Sequence, residues 1–562
     1  MRRFSVSSYY RRRGPKLAVP LFTLLALFTL LLSACGGSGQ SSTNTDQKHV
    51  LTIATQSTNF SLPGFNPYST SPNFGINGFV YETLEFCNVN DGNYAPLLAT
   101  DHSWSKDLTQ VTFHTRQNVK WNDGQSFSAE DVAFTFNAIK QYPAADTANA
   151  WSYLKSVEAT DANTVVMTLK KPYVPALYFI ATQVVIIPKH VFASVGDVTK
   201  YNNDKVVGTG PFTLKRYTSD LMVLDRNPGF WQADKVKVDE IRMPYYNGNE
   251  SAQTVMPTGK IDWSGYYDEN LQKSFIDKDP AHNHYFMDAI NMVGIFVDIN
   301  DPLLSQVPVR KAISAALDRE GFAKQAVAGF EPPVAQHGLV LPAGKDYLDP
   351  TYANLSTKPD PAQAEKYLKD AGFTKGADGI YAKDGKRLSF ELISVVGFSD
   401  WNAIAQMAQA ELKTVGIEIK IKLMAESAYR TFRASTQPHQ LMLNSVTGGP
   451  SPYYVYYGTL ASSSIPPNGR NSSFWKDGKT DQLLQEFATS DNKDQQKQAI
   501  QELQKIMVEQ VPFIPVLGGA RWCEYTSTRF TGWPSEQNPY SSCAPYAFPD
   551  NEYIILHLQP AS

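Results

Sequence analysis

Residues able to do acyl-transfer chemistry occur in this 562-residue chain, but not as a working set. Ser152-Tyr153-Leu154-Lys155 is a Ser-x-x-Lys, and Ser490-Asp491-Asn492 supplies a Ser-Asp-Asn. A serine acyl enzyme of that kind also needs a Lys-Thr-Gly downstream. None follows residue 492, and Lys479-Thr480-Asp481 is misplaced and differs in its third residue. Ser-x-x-Lys also recurs at Ser103–Lys106 and Ser473–Lys476, as chance would give. Neither Gly-x-Ser-x-Gly nor His-Glu-x-x-His is present. A secreted serine-type hydrolase is therefore the least supported reading, and the chain is expected not to be an enzyme. His282-x-His284 lies in a polar stretch without a Cys or a third His, so it predicts a solvated loop. No metal or cofactor is expected.

One residue does point to chemistry performed on the chain. Leu32-Ser33-Ala34-Cys35 closes a run from Leu17 to Leu32 with no charge, and Arg2, Arg3, Arg11, Arg12, Arg13 and Lys16 precede it. A basic segment, an apolar segment and small residues at the exit make a secretory signal. The run is short for a membrane span, which needs about 20 apolar residues. The four residues resemble the bacterial lipobox, which implies lipidation of Cys35 and removal of residues 1–34. Two acyl chains anchor a protein stably where one does not. The body is thus expected to be lipid-anchored on the outer face of the cytoplasmic membrane. Residues 35–49, rich in Gly, Ser and polar groups, predict a flexible tether.

Composition sets the frame for that body. The formal net charge is −3, with 42% hydrophobic and 19% charged residues, which gives no basic footprint for nucleic acid. The length suits two to four domains, at roughly 100–200 residues each. Repeats that would mark an adhesive protein are absent. Cys87, Cys523 and Cys543 remain after Cys35 is set aside, so one disulfide and one free thiol are expected, with the pairing open.

The elements that would position a site follow from local patterns. Val50–Thr55 and Val111–Thr115 alternate as strands, and Asn122-Asp123-Gly124-Gln125 is a turn. A helix is expected around Asn77–Leu84. Ser128 and Asp131 form a capping box ahead of a helix whose apolar face carries Val132, Phe136 and Ile139. Asp360, Pro361 and Gly372 mark the start and stop of another helix. An amphipathic helix runs from Asp400-Trp401 to about Leu412. Ile417, Ile419, Ile421 and Leu423 alternate as a half-buried strand, and Pro512 ends a helix lined by Ile500, Leu503, Ile506 and Met507. Trp104 and Trp231 sit in strand-like context and are expected in the core.

The wording of these segments is more specific than their periodicity. "VKWNDGQSFSAEDVAFTF" resembles the signature of the bacterial extracellular solute-binding proteins of family 5, the binding components of ABC importers. "GTGPFTLKRYTSDLMVLDRNPGFW" (Gly208–Trp231), "PTGKIDW" (Pro257–Trp263), "VRKAISAALDRE" (Val309–Glu320) and "DPAQAEKYLKDAGF" continue it in the family's order. The resemblance implies an α/β, two-lobed periplasmic-binding-protein-like fold of class II type, with an inserted third subdomain and an interlobe ligand cleft. It places lobe I at 50–66, 207–300 and 511–562, the inserted subdomain at 67–206 and lobe II at 301–510. It also implies a monomer that hands a small-molecule ligand to membrane permease subunits.

Ligand class is read from a departure. Many peptide-binding relatives resemble Trp-x-x-Asp-Tyr-x-Asp-Pro where this chain has "SVTGGPSPYYVYYGTL" (Ser445–Leu460), which holds no carboxylate for an α-amino group. Neutral sugars need aromatic faces with amide and hydroxyl edges instead. Trp401, Tyr453, Tyr454, Trp522, Trp533, Asn538 and Tyr540 supply these, with Asn66, Trp263 and Asn444 as further candidate contacts. "TGWPSEQNPY", "SDW" and "GGPSPYYVYY" resemble the cellobiose-type oligosaccharide branch. An oligosaccharide is the expected ligand, with an oligopeptide as the alternative.

Overall fold

Val50–Ala54 forms the expected first strand, and its alternation buries Leu51 and Ile53 completely. The structure, a computed structural model, describes residues 48–54, 64–69, 72–246, 249–467 and 469–561. The signal, Cys35 and the tether up to residue 47 lie outside the described residues. Lys48 and His49, assigned to the tether by composition, are already tied to the body. The Lys48 ammonium lies 2.8 Å from Glu240, and the His49 amide donates to Asp239 at 2.9 Å.

The first lobe is built on a seven-stranded mixed sheet. Its order is Asn283–Tyr285, Glu524–Thr526, Trp263–Ser264, Val50–Ala54, Glu240–Pro244, Leu221–Arg226 and Phe212–Thr218. A four-stranded antiparallel sheet, Ala99–Trp104, Gln110–Thr115, Thr164–Leu169 and Leu154–Ala159, carries the helix Ala129–Gln141. That helix opens as its sequence demands, with the Ser128 amide donating to Asp131 at 3.0 Å.

The second lobe is built on a five-stranded sheet in the order Glu418–Met424, Ser389–Val395, Leu441–Val446, Asp288–Val297 and Phe513–Arg521, the last two of which fall in segments expected for lobe I. Helices Val307–Ala316, Arg319–Ala326 and Ser399–Thr414 share one apolar cluster with this sheet. Asp360 caps Pro361–Asp370 by accepting from the Gln363 amide at 2.9 Å, and Gly372 ends it at φ +84°. Among the described residues no helix is long and apolar enough to cross a membrane.

Three local expectations change. The helix around Asn77–Leu84 is a short irregular turn, Ile76–Phe79, with Gly78 at φ +89°. A Cβ on Gly78 would collide with the Asn551 side-chain oxygen, so close approach of the C-terminal helix replaces helical winding there. Trp104 and Trp231 are half-buried at the core's edge. Trp231 donates to Glu82 at 2.7 Å, and the Arg116 guanidinium lies 3.8 Å over its ring. Leu423 is 50% exposed because its strand is the sheet's edge. The open cysteine question closes: Cys523 pairs with Cys543, and Cys87 is free and buried.

Candidate functional site: the cleft around the interlobe crossing

Two strands pass from one sheet to the other side by side. Asn283–Tyr285 of the first lobe continues into Asp288–Val297 of the second, and Phe513–Arg521 returns into Glu524–Thr526. At the crossing the Phe286 amide donates to the Cys523 carbonyl at 3.1 Å, and the Cys523 amide to the Met287 sulfur at 3.4 Å. Among the described residues these are the two places where the chain passes between the sheets, a geometry suited to hinge motion.

Against the crossing lies an aromatic group drawn from both lobes. Trp522 meets Tyr267 edge-on at 4.8 Å and Phe330 at 5.5 Å, and Phe330 meets Tyr285 at 5.3 Å. Trp522, Tyr267 and Phe330 are half-buried, and Tyr285 is exposed. Carboxyl groups surround them. Glu331 is buried and accepts from the Ala520 amide at 3.0 Å; burial pushes it up to about 8, and Asp400 adds to the shift. Burial also raises Asp400, at the start of helix Ser399–Thr414. Glu524 is 2% exposed, and neither of its carboxylate oxygens has a hydrogen-bond partner among the described residues. Burial raises it well above the usual range, with Asp268 adding to the shift. No ion pair reaches Asp268, Glu331, Asp400 or Glu524 among the described residues. The site can therefore hold a cation, or donate protons to a neutral polar ligand.

A cavity of about 580 Å³ is walled by Val89–Tyr94, Ala289, Ile290, Gly449–Pro452 and Tyr454, and none of the aromatic or carboxyl residues just named lines it. Two sheets joined by a pair of crossing strands are the arrangement in which binding proteins close around solutes. Residues 93–467 match the model of the bacterial extracellular solute-binding proteins, family 5. The chain belongs to that family.

Family membership is supported along most of the length. The oligopeptide-binding protein OppA of Bacillus subtilis is 23% identical over 529 residues, covering 88% of this chain and 93% of that protein. The periplasmic oligopeptide-binding protein of an oligopeptide ABC transporter from Thermotoga maritima superimposes with a TM-score of 0.83 at 22% identity. The match covers 91% of this chain and 99% of that one. A mannohexaose-bound structure of that Thermotoga maritima protein gives 0.75 at 22% identity, over 92% and 99% of the two chains. At these identities the structural likeness establishes the fold.

Within this family-5 fold the candidate contacts do not form one platform. Trp522 lies in the aromatic group at the crossing. Trp401, 8% exposed, packs between Phe398 at 5.5 Å and Tyr429 at 6.2 Å, directly after Asp400. Tyr454 lines the cavity and donates to the Pro175 carbonyl at 3.2 Å. Tyr453 is 1% exposed, stacks on Phe487 at 4.6 Å, and its hydroxyl is bonded to that of Tyr173. Asn444 is fully buried and accepts from the Ser445 amide at 2.8 Å.

The others are committed to the first lobe's interior or surface. Trp533 stacks on Tyr525 at 5.0 Å, meets Trp263 at 5.5 Å, and donates to the Phe530 carbonyl. Trp263 is fully buried and donates to the Cys543 carbonyl at 2.7 Å. Tyr540 donates to the Gly532 carbonyl and stacks on His557 at 4.5 Å, while Asn538 is exposed in a turn closed on Ser535. Asn66 is fully buried, donating to Val198 and Tyr201 and accepting from the Tyr68 amide. Tyr267, Phe330, Glu331 and Asp400 were missed. Only Asp400, adjacent to Trp401, lay next to a residue that the sequence singled out.

Proposed function

We propose that this chain is the extracytoplasmic ligand-capturing subunit of an ABC importer and that its ligand is an oligopeptide. The observation that carries the peptide reading is the group of unpaired carboxyls, Asp400 and Glu331 foremost, beside Tyr267 and Trp522. An ammonium placed there would pair with carboxylates that are costly to bury alone and would lie near aromatic rings that favour cations. The oligopeptide-binding relative from Bacillus subtilis agrees with this reading. The sugar reading loses its main support because Trp533, Tyr540 and Asn66 are spent on internal contacts.

Closure about the two crossing strands would trap the ligand and present a distinct surface to the permease. Cys35 would carry the lipid that keeps the monomer at the membrane, and Cys35→Ser should release it.

An oligosaccharide is the second reading, favoured by the half-buried Trp522 and Tyr267 and by the mannohexaose-bound Thermotoga maritima protein. Calorimetry with tetra-alanine, its N-acetyl form and mannohexaose decides. Binding of the free peptide, weakened at least tenfold by acetylation, is expected. Binding of mannohexaose with no affinity for either peptide would overturn the assignment.

A further inference from the structure

Lys170-Lys171-Pro172-Tyr173-Val174-Pro175 leaves strand Thr164–Leu169 of the four-stranded sheet and leads into helix Ala176–Thr182. Pro172 and Pro175 each fix their own φ, so the segment is stiff before it touches anything. It reaches across to helices Tyr453–Leu460 and Gly478–Ala488, which follow strand Leu441–Val446 of the second lobe's sheet. The Lys171 ammonium donates to the Gln485 side-chain oxygen at 3.0 Å, and the Val174 amide to the Ala488 carbonyl at 2.7 Å. The hydroxyls of Tyr173 and Tyr453 lie 3.0 Å apart, and that of Tyr454 bonds the Pro175 carbonyl. Behind these bonds, Cys87, Val89 and Tyr178 form a small apolar cluster with Ile290 of a crossing strand, and Tyr454 packs against it.

The contact is a thin wall between two cavities. Val174, Pro175, Tyr454 and Phe487 line the cavity of about 580 Å³. Their chain neighbours Tyr173, Tyr453 and Ala488 line a second cavity, of about 570 Å³. Hydroxyl, amide and carbonyl groups that bridge such a wall can exchange one another for water when it parts, at small net cost. A continuous, close-packed core has no such freedom, because parting it would open voids.

We propose that Lys171–Pro175 is an interlobe latch, which docks on the second lobe when the lobes close about the crossing strands and parts when they open. This rests on the closure part of the proposed function and holds for a peptide or a sugar alike. Bonds made by protein to protein favour the closed form whatever solute lies between the lobes. The latch thus sets how often the protein closes without solute and how long a captured solute stays.

Cys87, free and buried in the apolar cluster behind the latch, reports its opening. The test follows iodoacetamide alkylation of Cys87 by peptide mass spectrometry in the full chain, without added solute. Tyr453→Phe with Tyr454→Phe removes two hydroxyls from the latch, whereas Tyr429→Phe removes a hydroxyl bond to the Leu443 carbonyl within the second lobe. The double variant should alkylate at least fivefold faster and show a larger radius of gyration in X-ray scattering. Tyr429→Phe should match the wild type. Gln485→Glu, which turns the Lys171 contact into an ion pair, should slow alkylation about two- to fivefold, and about 0.5 M salt should remove that effect. This opposite-signed variant keeps the test decisive if the double variant melts early. Equal alkylation in all the variants would overturn the latch and leave hinge closure standing. Faster alkylation at an unchanged radius would show that the segment lifts without the lobes parting, which overturns the latch and counts against closure itself.

Discussion

Asp288 and Arg521 stand opposite each other in the ladder at the point where both strands leave the second lobe's sheet. Burial opposes the charge on Arg521, but Asp288, Tyr178 and Asp550 outweigh it and hold the guanidinium's pKa above its usual value. Asp288 is 4% exposed, so its charge depends on that partner. Burial raises Asp288 to about 7 even beside Arg521, so Arg521→Met should raise it further and cost stability that grows as pH rises above 7. Adding Asp288→Asn should recover much of the loss in urea unfolding. Additive losses in the double variant would show that the two do not act as a pair.

Glu331 should make stability depend on pH. Its folded pKa, about 8, lies above the roughly 4.3 of an unfolded glutamate. The stability contributed by the neutral carboxyl is fully present below the unfolded value. It is lost as pH rises toward 8, by about 1.4 kcal/mol per pH unit for one proton. Glu331→Gln keeps an acceptor for the Ala520 amide and should flatten this component between pH 4.5 and 8. Parallel urea-midpoint curves for the two proteins would refute it.

Trp533→Ala should behave as a core truncation. Removal of a ring packed on Tyr525 and Trp263 should cost about 3–5 kcal/mol, with ligand affinity unchanged in the folded protein. Loss of affinity at unchanged stability would return Trp533 to the ligand site.

Ligand should raise stability by about 2.7 kcal/mol at a hundredfold excess over Kd and reduce the radius of gyration in X-ray scattering. A thermal shift with an unchanged scattering curve would argue against closure about the crossing.

Much of the fold is legible in the sequence because it is written in short-range terms. Ser128 and Asp131 cap their helix, Asp360 and Gly372 bound theirs, and Leu51 and Ile53 alternate into the core as their spacing demands. The motifs from Val119 to Gly372 carry the family, since each joins a turn or cap to a fixed order of elements. Where the expectation failed, at Asn77–Leu84, the cause was distant: Asn551 occupies the space above Gly78.

The site was decided by tertiary structure alone. Tyr267, Phe330-Glu331, Asp400 and Trp522 come from four separate segments and meet only because two strands cross between the sheets. Trp522 and Trp533 are eleven residues apart and look alike in sequence; one is half-buried by the crossing, the other locked against Tyr525 and Trp263. Local sequence sets which backbone conformations are cheap and which face of an element is apolar. Whether an aromatic or a carboxyl faces the cleft depends on what other segments bury around it, and neither spacing nor composition encodes that.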